Sequence, residues 1–235
     1  MGKSTDLPIA RSPDALVLPR LYAIIDPAQC GGRPLLEVTE ALLAAGVRLI
    51  QLRDKQASSR SLYASAQQIA QCVRAAGGTF ILNDRTDVAR AVDADGVHLG
   101  QDDLPVEAAR AQLGPGKLIG YSTHVLDQVR EGGKTSANYI ALGPIFPTSS
   151  KANPDPQVGL HGLRSARAAT ARPLVAIGGI TLENASAVIA AGADSVAVIR
   201  ALVGAADIRR RAEEFLEQVS GARPEDSQAR DASAR

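Results

Sequence analysis

The sequence predicts an α/β protein built as a single closed barrel of parallel strands. Short apolar segments alternate strictly with longer segments of helical periodicity, and eight of each can be counted along the chain. The apolar segments contain almost no internal polar residues, which is typical of parallel strands buried on both faces. No Gly-x-Gly-x-x-Gly motif follows the first strand, which argues against an open dinucleotide-binding sheet. Eight repeating units therefore favour a (β/α)8, or TIM, barrel.

Proline and glycine residues mark where the predicted elements begin and end. Pro34 opens the first helical segment, Gly46 stops it, and the pair Gly77-Gly78 ends the second. The predicted strands are 21–25, 48–53, 79–82, 96–99, 118–121, 139–142, 174–177 and 195–199. The predicted helices that follow them in turn are 34–45, 59–76, 88–92, 105–113, 125–131, 160–170, 183–191 and 208–219.

One catalytic domain is expected over residues 20–220, between two polar arms. Residues 1–19 are punctuated by prolines, and residues 221–235 lack bulky apolar side chains. Such segments cannot bury enough surface to offset the entropy lost on ordering, so both arms are predicted to be flexible. The central ~200 residues lie within the size range of a small barrel.

Composition excludes several classes of partner. The net charge is +1 and there is no tryptophan, so neither a nucleic-acid partner nor a charged membrane surface is expected. No apolar run reaches the ~18 residues that a membrane span needs. The two cysteines, Cys30 and Cys72, have no metal-ligand spacing and are interpreted as reduced thiols of a cytoplasmic protein. The sequence leaves open whether the chain forms a homo-oligomer.

Polar residues end the third and fourth predicted strands. The third ends in Asn83-Asp84, and the fourth is followed by Asp102-Asp103. Carboxylates of this kind suit Mg²⁺, which keeps coordination positions free for substrate phosphates, so Asp84 and Asp103 could share one ion. Helix capping is the alternative: it is favoured for Asp102 and competes evenly with metal binding for Asp103. His98 lies inside its strand, where a supporting role is expected.

The second strand ends in donors that suit a polyanion. Alternation places Gln51, Arg53 and Lys55 on one side of the chain, which is expected to face the barrel mouth. A solvated strand end with incidental charges is the alternative. The fifth strand ends in Ser122, Thr123 and His124, which could bind phosphate, transfer protons or, in the case of the hydroxyls, cap the next helix.

The last three strands are followed by segments that suit phosphate groups. Prolines prevent regular helix in the long segment after the sixth strand, which is predicted to form an active-site lid. Glycines after the seventh strand and the end of the eighth could form a backbone phosphate site, and a simple turn at Gly178-Gly179 is the less favoured alternative. The residues concerned are Thr148, Ser149, Ser150, Lys151, Gly179, Ile199 and Arg200. These features together predict a transferase with two phosphate-bearing substrates.

Several motifs resemble the thiamine phosphate synthase family, in that family's order, over residues 21 to about 202. The glutamine-arginine-lysine segment and the phenylalanine-proline-threonine loop are the distinctive ones. The motifs are 51–55 (QLRDK), 83–85 (NDR), 96–104 (GVHLGQDDL), 122–124 (STH), 143–148 (GPIFPT) and 176–180 (AIGGI).

The resemblance implies that a pyrimidine diphosphate loses diphosphate, through a pyrimidine-stabilised carbocation, and is joined to a thiazole phosphate. It implies Mg²⁺ ligation by Asp84 and Asp103, and catalytic roles for Arg53, Lys55 and Lys151. The loop 148–150 would touch the thiazole substrate, whose phosphate would lie at Gly179, Ile199 and Arg200. Contacts to the pyrimidine diphosphate are implied for Gln51, Leu52, Arg53, Asp54, Lys55, Asn83, Ser122 and Lys151.

Three positions depart from the family pattern. Ser150 and Asp102 stand where threonine and glutamate are common, and Arg200 stands where serine is usual. At position 200 the hydroxyl that would bind the phosphate is missing. The backbone amide or the guanidinium of Arg200 could bind the phosphate instead, or the side chain could point to solvent. Two other functions are alternatives: a thiazole tautomerase of the same fold, which would use His124 as acid or base, and a non-catalytic sensor of phosphate ligands. The tautomerase would not need the carboxylate pair and the cationic segment together. The sensor would bind its ligand without Mg²⁺-dependent turnover.

Overall fold

The computed structural model describes residues 16–148 and 155–221 of the chain. Eight parallel strands close into a barrel in chain order, which confirms the predicted fold. The strands are β1 (Leu21–Ile25), β2 (Leu49–Leu52), β3 (Thr79–Asn83), β4 (Gly96–Leu99), β5 (Leu118–Thr123), β6 (Tyr139–Leu142), β7 (Leu174–Ile177) and β8 (Ser195–Val198).

Helices follow the strands on the outside of the barrel, and no helix within residues 16–148 and 155–221 is long and apolar enough to cross a membrane. Two short elements were not predicted: a 3₁₀ helix over Pro27–Gln29 and a one-turn helix after β8. Both are too short to carry a helical pattern of apolar residues. The α-helices of the described residues are α1 (Leu35–Ala45), α2 (Ser59–Ala75), α3 (Thr86–Ala91), α4 (Val106–Leu113), α5 (Leu126–Lys134), α6 (Gly159–Ala169), α7 (Ala185–Ala190), α8 (Arg200–Val203) and α9 (Ile208–Ser220).

Alternation along each strand divides the core into two layers. In β1, Leu21, Ala23 and Ile25 face the helices, whereas Tyr22 and Ile24 face the barrel interior. The interior layer is small, and it contains two tyrosines where aliphatic residues would be expected. Its buried members are Leu18, Tyr22, Ile24, Leu49, Ile81, Leu118, Tyr139, Ala141, Val175 and Ala197.

The barrel core extends beyond the amino-terminal boundary that the sequence predicts. Leu18 is buried in the interior layer and Leu16 packs against it, whereas the sequence predicts that both belong to the flexible arm. The remaining parts of the two predicted arms, residues 1–15 and 222–235, lie outside the described residues.

Candidate active site

A cavity of about 830 Å³ opens where the strands end, on the side of the barrel that the sequence predicts. It brings together predicted site residues from the ends of seven strands, β2 to β8. Those that line it are Gln51, Arg53, Lys55, Asn83, Asp84, Asp103, Ser122, Thr148, Gly179, Ile199 and Arg200. Three predicted site residues of the lid segment, Ser149, Ser150 and Lys151, lie outside the described residues.

The segment after β2 shows the alternation that the sequence predicts. Gln51, Arg53 and Lys55 line the cavity. The side chains of the two residues between them do not: Leu52 is fully buried in the layer beneath the helices, and Asp54 accepts backbone hydrogen bonds from the turn that leads into α2. A contact from the backbone of these two residues to substrate stays a prediction.

The predicted carboxylate pair is formed. Burial and the adjacent Asp103 carboxyl raise the pKa of Asp84 from 3.8 to about 6, although Lys55 acts in the opposite direction. Lys55 Nζ lies 3.1 Å from Asp84 Oδ2. Asp84 also has a left-handed backbone with φ of 61°, which is uncommon outside glycine and recurs at functional sites. Two carboxylates are therefore held close together, at a cost in charge repulsion and backbone strain.

This donor set fits a hard divalent cation that is only partly coordinated by protein. Among the described residues, no three His, Cys, Asp or Glu side chains are grouped closely enough to hold a metal by themselves. Asp84 and Asp103 supply two carboxylates beside an open cavity, the pattern of Mg²⁺ sites completed by water and substrate phosphate.

Asp26 is a site residue that sequence reasoning missed. It follows β1, is 6% exposed, and forms an ion pair with the Arg53 guanidinium. It also accepts a hydrogen bond from Ala28 N at 3.0 Å, at the start of the 3₁₀ helix. One carboxylate thus fixes the direction of Arg53 from the neighbouring strand. A single aspartate after an apolar segment was the only signal available in the sequence.

The capping alternatives for Asp102, Asp103 and the hydroxyls after β5 are wrong. Pro105 occupies the N-cap of α4 without a side-chain hydrogen bond, and Val125 does the same for α5. Asp103 Oδ2 instead accepts from Gly100 N at 2.7 Å within its own loop, which aims the carboxylate at the cavity. Asp102 also lines the cavity.

The expected supporting role of His98 agrees with its contacts. Its Nδ1 lies 3.1 Å from Tyr139 Oη and its Nε2 lies 2.8 Å from Ser122 Oγ. Burial lowers the pKa of His98 to about 4, although the Asp103 carboxylate raises it. A neutral imidazole therefore stands behind Ser122 and fixes the orientation of its hydroxyl.

His124 lies at the rim of the same cavity. Its Nδ1 donates to Gly143 O at 2.7 Å and lies 3.4 Å from Asp155 Oδ2. Because a carbonyl can only accept, Nδ1 carries the hydrogen. The ring is thus oriented by the backbone of the segment after β6.

The ends of β7 and β8 form the opposite wall. Gly179 has φ of 64°, and a Cβ there would lie 2.4 Å from Pro147 O and 2.7 Å from Phe146 Cβ. Only glycine allows the turn after β7 to pass this closely under the loop that carries Thr148. Arg200 begins α8 with an exposed side chain that borders the cavity.

Comparison with known proteins identifies the family. The model of the thiamine monophosphate synthase family matches residues 21–202. A thiamine-phosphate synthase of Moorella thermoacetica is 47% identical over 86% of this chain and 97% of its own length. A thiamine-phosphate synthase of Koribacter versatilis is 49% identical over 86% of this chain and 96% of its own length. A solved structure of thiamine phosphate pyrophosphorylase from Pyrococcus furiosus is 38% identical, covers 86% of this chain and 96% of its own, and superimposes with a TM-score of 0.79.

These matches do not support the tautomerase or the ligand sensor. They agree with the closed-barrel fold. The chain belongs to the thiamine monophosphate synthase family, and it is a transferase of thiamine biosynthesis that forms thiamine phosphate.

Proposed function

We propose that the protein joins 4-amino-2-methyl-5-(diphosphomethyl)pyrimidine to a thiazole phosphate, with Mg²⁺ held by Asp84 and Asp103. The observation that carries this proposal is the carboxylate pair with Lys55, built on a strained Asp84 backbone beside an open cavity. Such a pair is unfavourable by itself and becomes favourable once a cation and a polyanion enter.

The reaction breaks one C–O bond and forms one C–N bond. The electron pair of the C–O bond leaves with diphosphate, and the thiazole nitrogen donates its lone pair to the methylene carbon. When bound, Mg²⁺ neutralises charge on the departing diphosphate oxygens. Arg53 and Lys55 supply further positive charge on the same side of the cavity, and Lys151 is proposed to join them from the lid segment. No nucleophilic side chain is needed.

The two substrates are proposed to occupy opposite walls. Gln51, Asn83 and Ser122 would contact the pyrimidine diphosphate, on the wall that carries the carboxylates. Backbone amides at Gly179, Ile199 and Arg200 would bind the thiazole phosphate, since turns after the seventh and eighth strands commonly form the phosphate site of this fold. Thr148, with Ser149 and Ser150, would contact the thiazole substrate.

The decisive experiment measures thiamine phosphate formation by the purified protein from both substrates, with and without Mg²⁺. Formation only with Mg²⁺ is expected. A second measurement, independent of turnover, is the melting temperature. Mg²⁺ with inorganic diphosphate should raise it in the wild type and leave it unchanged in Asp84→Asn. Equal product without Mg²⁺, or equal stabilisation of the variant, would contradict the metal assignment.

We further expect the protein to act in the cytoplasm, where the free thiols Cys30 and Cys72 stay reduced.

A further inference from the structure

A continuous chain of hydrogen bonds crosses the barrel interior beneath the cavity. It joins one side chain from each of five strands, and its two ends are Gln51 and Ser122. Gln51 Nε2 lies 2.7 Å from Tyr22 Oη, which lies 2.9 Å from Tyr139 Oη. Tyr139 Oη lies 3.1 Å from His98 Nδ1, and His98 Nε2 lies 2.8 Å from Ser122 Oγ. The chain therefore connects two groups proposed to contact the same substrate.

The interior is shaped to hold this chain. Tyr22, Tyr139 and Gln51 are 1%, 0% and 2% exposed, so unpaired hydroxyl or amide groups there would be costly. The two tyrosine rings meet edge to face, and the His98 ring stacks on Tyr139. Gly120 of β5 provides the space, because a Cβ there would lie 2.1 Å from Tyr139 Cζ and 2.4 Å from His98 Nδ1. Packing and hydrogen bonding thus specify one arrangement of these side chains.

Counting hydrogens gives the chain a direction. The Gln51 amide nitrogen can only donate, so the Tyr22 hydroxyl accepts a hydrogen bond from it. Tyr139 Oη is then the acceptor left for the Tyr22 hydroxyl hydrogen within this chain of hydrogen bonds. Tyr139 then donates to His98 Nδ1, which leaves the hydrogen of the neutral ring on Nε2, pointing at Ser122 Oγ. The hydroxyl hydrogen of Ser122 has no role within the chain and is available to the cavity.

The two ends are therefore complementary. Ser122 presents an O–H donor, which suits a diphosphate oxygen, and Gln51 presents its carbonyl oxygen, which suits an amino group on a heteroaromatic ring. Turning over the Gln51 amide would make Tyr22 donate to it, which would require the other three bonds to reverse and would turn the Ser122 hydrogen inward. A change at Gln51 therefore changes what Ser122 presents to the cavity.

We propose that this chain sets the orientation of Gln51 and Ser122 as one unit for binding the pyrimidine diphosphate, with Tyr22, Tyr139 and His98 as positioning residues. The identity of the ligand rests on the proposed function. Tyr139 gives the clearest test, because it does not line the cavity and can act on substrate only through its neighbours.

The first test compares Tyr139→Phe with Tyr63→Phe, the same change on the exposed face of α2. Tyr139→Phe should raise the KM for the pyrimidine diphosphate about tenfold, the effect of one lost hydrogen bond, and leave the KM for the thiazole phosphate unchanged. Tyr63→Phe should change neither. A Tyr139→Phe protein with wild-type constants, or with both KM values raised equally, would overturn the proposal.

The second test uses inorganic diphosphate with Mg²⁺ as a calorimetric probe of the Ser122 end. Tyr139→Phe and Ser122→Ala should each weaken its binding, and the double variant should bind it no more weakly than Ser122→Ala alone. Effects that multiply would show that Tyr139 acts elsewhere, which would refute the proposal. If Tyr139→Phe does not fold, Tyr22→Phe breaks the same hydrogen-bond chain one residue earlier. Because Tyr22 itself lines the cavity, it is tested by the double variant with Ser122→Ala, which should again bind diphosphate no more weakly than Ser122→Ala alone.

The experiments distinguish failure of the proposed function from failure of the hydrogen-bond chain. A wild-type protein that makes no thiamine phosphate would refute that function, while diphosphate binding would still test the hydrogen-bond chain. A wild-type protein that is active and Mg²⁺-dependent, with a Tyr139→Phe variant identical to it in both assays, would refute only the chain.

Discussion

The two ends of the barrel use the same charged residue types in different ways. At the amino ends of β5 and β6, Arg110 donates to the carbonyls of Gly114, Lys117 and Ser136 and to Asn138 Oδ1, at 2.6–3.0 Å. At the carboxyl ends, the side-chain hydrogen bond and ion pair found for Arg53 within the described residues both join its guanidinium to Asp26. Both terminal nitrogens of the Arg110 guanidinium donate to protein acceptors, whereas the Arg53 guanidinium keeps most of its donors for the cavity.

Aspartates show the same contrast. Asp84 and Asp93 are the two non-glycine residues of positive φ within the described chain, at 61° and 54°. Asp84 faces the cavity beside a second carboxylate, whereas Asp93 is exposed and pairs with Arg74 and Lys117. Residue type and backbone conformation are shared, so the difference lies in how far each carboxylate is neutralised by neighbours. Incomplete neutralisation, rather than charge as such, marks the end that binds ligand.

The largest effect is expected for Asp84→Asn. Asparagine keeps the size and tolerates the left-handed backbone, but it removes the charge that would bind Mg²⁺. We expect kcat to fall by about 10³-fold or more, with little loss of stability. Turnover at saturating substrates and Mg²⁺, together with thermal unfolding, checks this. A variant within a few-fold of wild type would remove Asp84 from the metal site.

Arg53→Ala should have the next largest effect, about 10²-fold on kcat/KM for the pyrimidine diphosphate. The donors that Arg53 keeps for the cavity would be lost, and Asp26 would be left without its cation. Steady-state kinetics with each substrate varied in turn provide the measurement. If the loss fell equally on both substrates, Arg53 would be maintaining the fold of the cavity rather than binding diphosphate.

Strand order and alternation account for what the sequence could predict about this end. Polar residues that close successive apolar segments had to meet at one rim, which placed Asp84 near Asp103 and put Gln51, Arg53 and Lys55 on one face. The resemblance to a known family then assigned them roles.

Contacts between distant strands could not be predicted in this way. Tyr22 and Tyr139 are 117 positions apart, and their hydroxyls meet only because barrel closure brings β1 and β6 across the interior. Each tyrosine lies in an apolar segment where it resembles any other core residue. The capping interpretation of Asp102 and Asp103 failed for a related reason, since sequence spacing does not show that Gly100 N competes for the Asp103 carboxylate.

Arg110→Ala tests the other end of the barrel. Several carbonyls would lose their donor, so we expect the free energy of unfolding to fall by ~2–3 kcal/mol. The kcat of the folded protein should not change, because Arg110 lies away from the cavity. Denaturant unfolding and kinetics on the same preparation separate the two effects. A loss of kcat with unchanged stability would contradict the division between the two ends.

Asp26→Asn should have a smaller effect. The amide can still accept from Ala28 N but no longer forms an ion pair with Arg53, so the guanidinium is held less firmly. We expect kcat/KM for the pyrimidine diphosphate to fall about tenfold, equivalent to ~1.4 kcal/mol. In an Arg53→Ala background the same substitution should cost almost nothing further. Independent effects would show that Asp26 acts through another group.

The smallest effect is expected for Asp93→Asn, the counterpart of Asp84→Asn at the other end. The carboxylate is 70% exposed, with Lys117 Nζ at 2.6 Å and Arg74 at 3.3 Å. Exposed ion pairs contribute ~0–1 kcal/mol, and asparagine accepts the same backbone conformation, so stability should fall by less than ~1 kcal/mol. Turnover should stay at the wild-type level, and stability should become less sensitive to salt. Because the two substitutions are chemically identical, a loss of turnover in Asp93→Asn would show that removing an aspartate charge far from the cavity also lowers activity. The metal interpretation of Asp84→Asn would then lose its control.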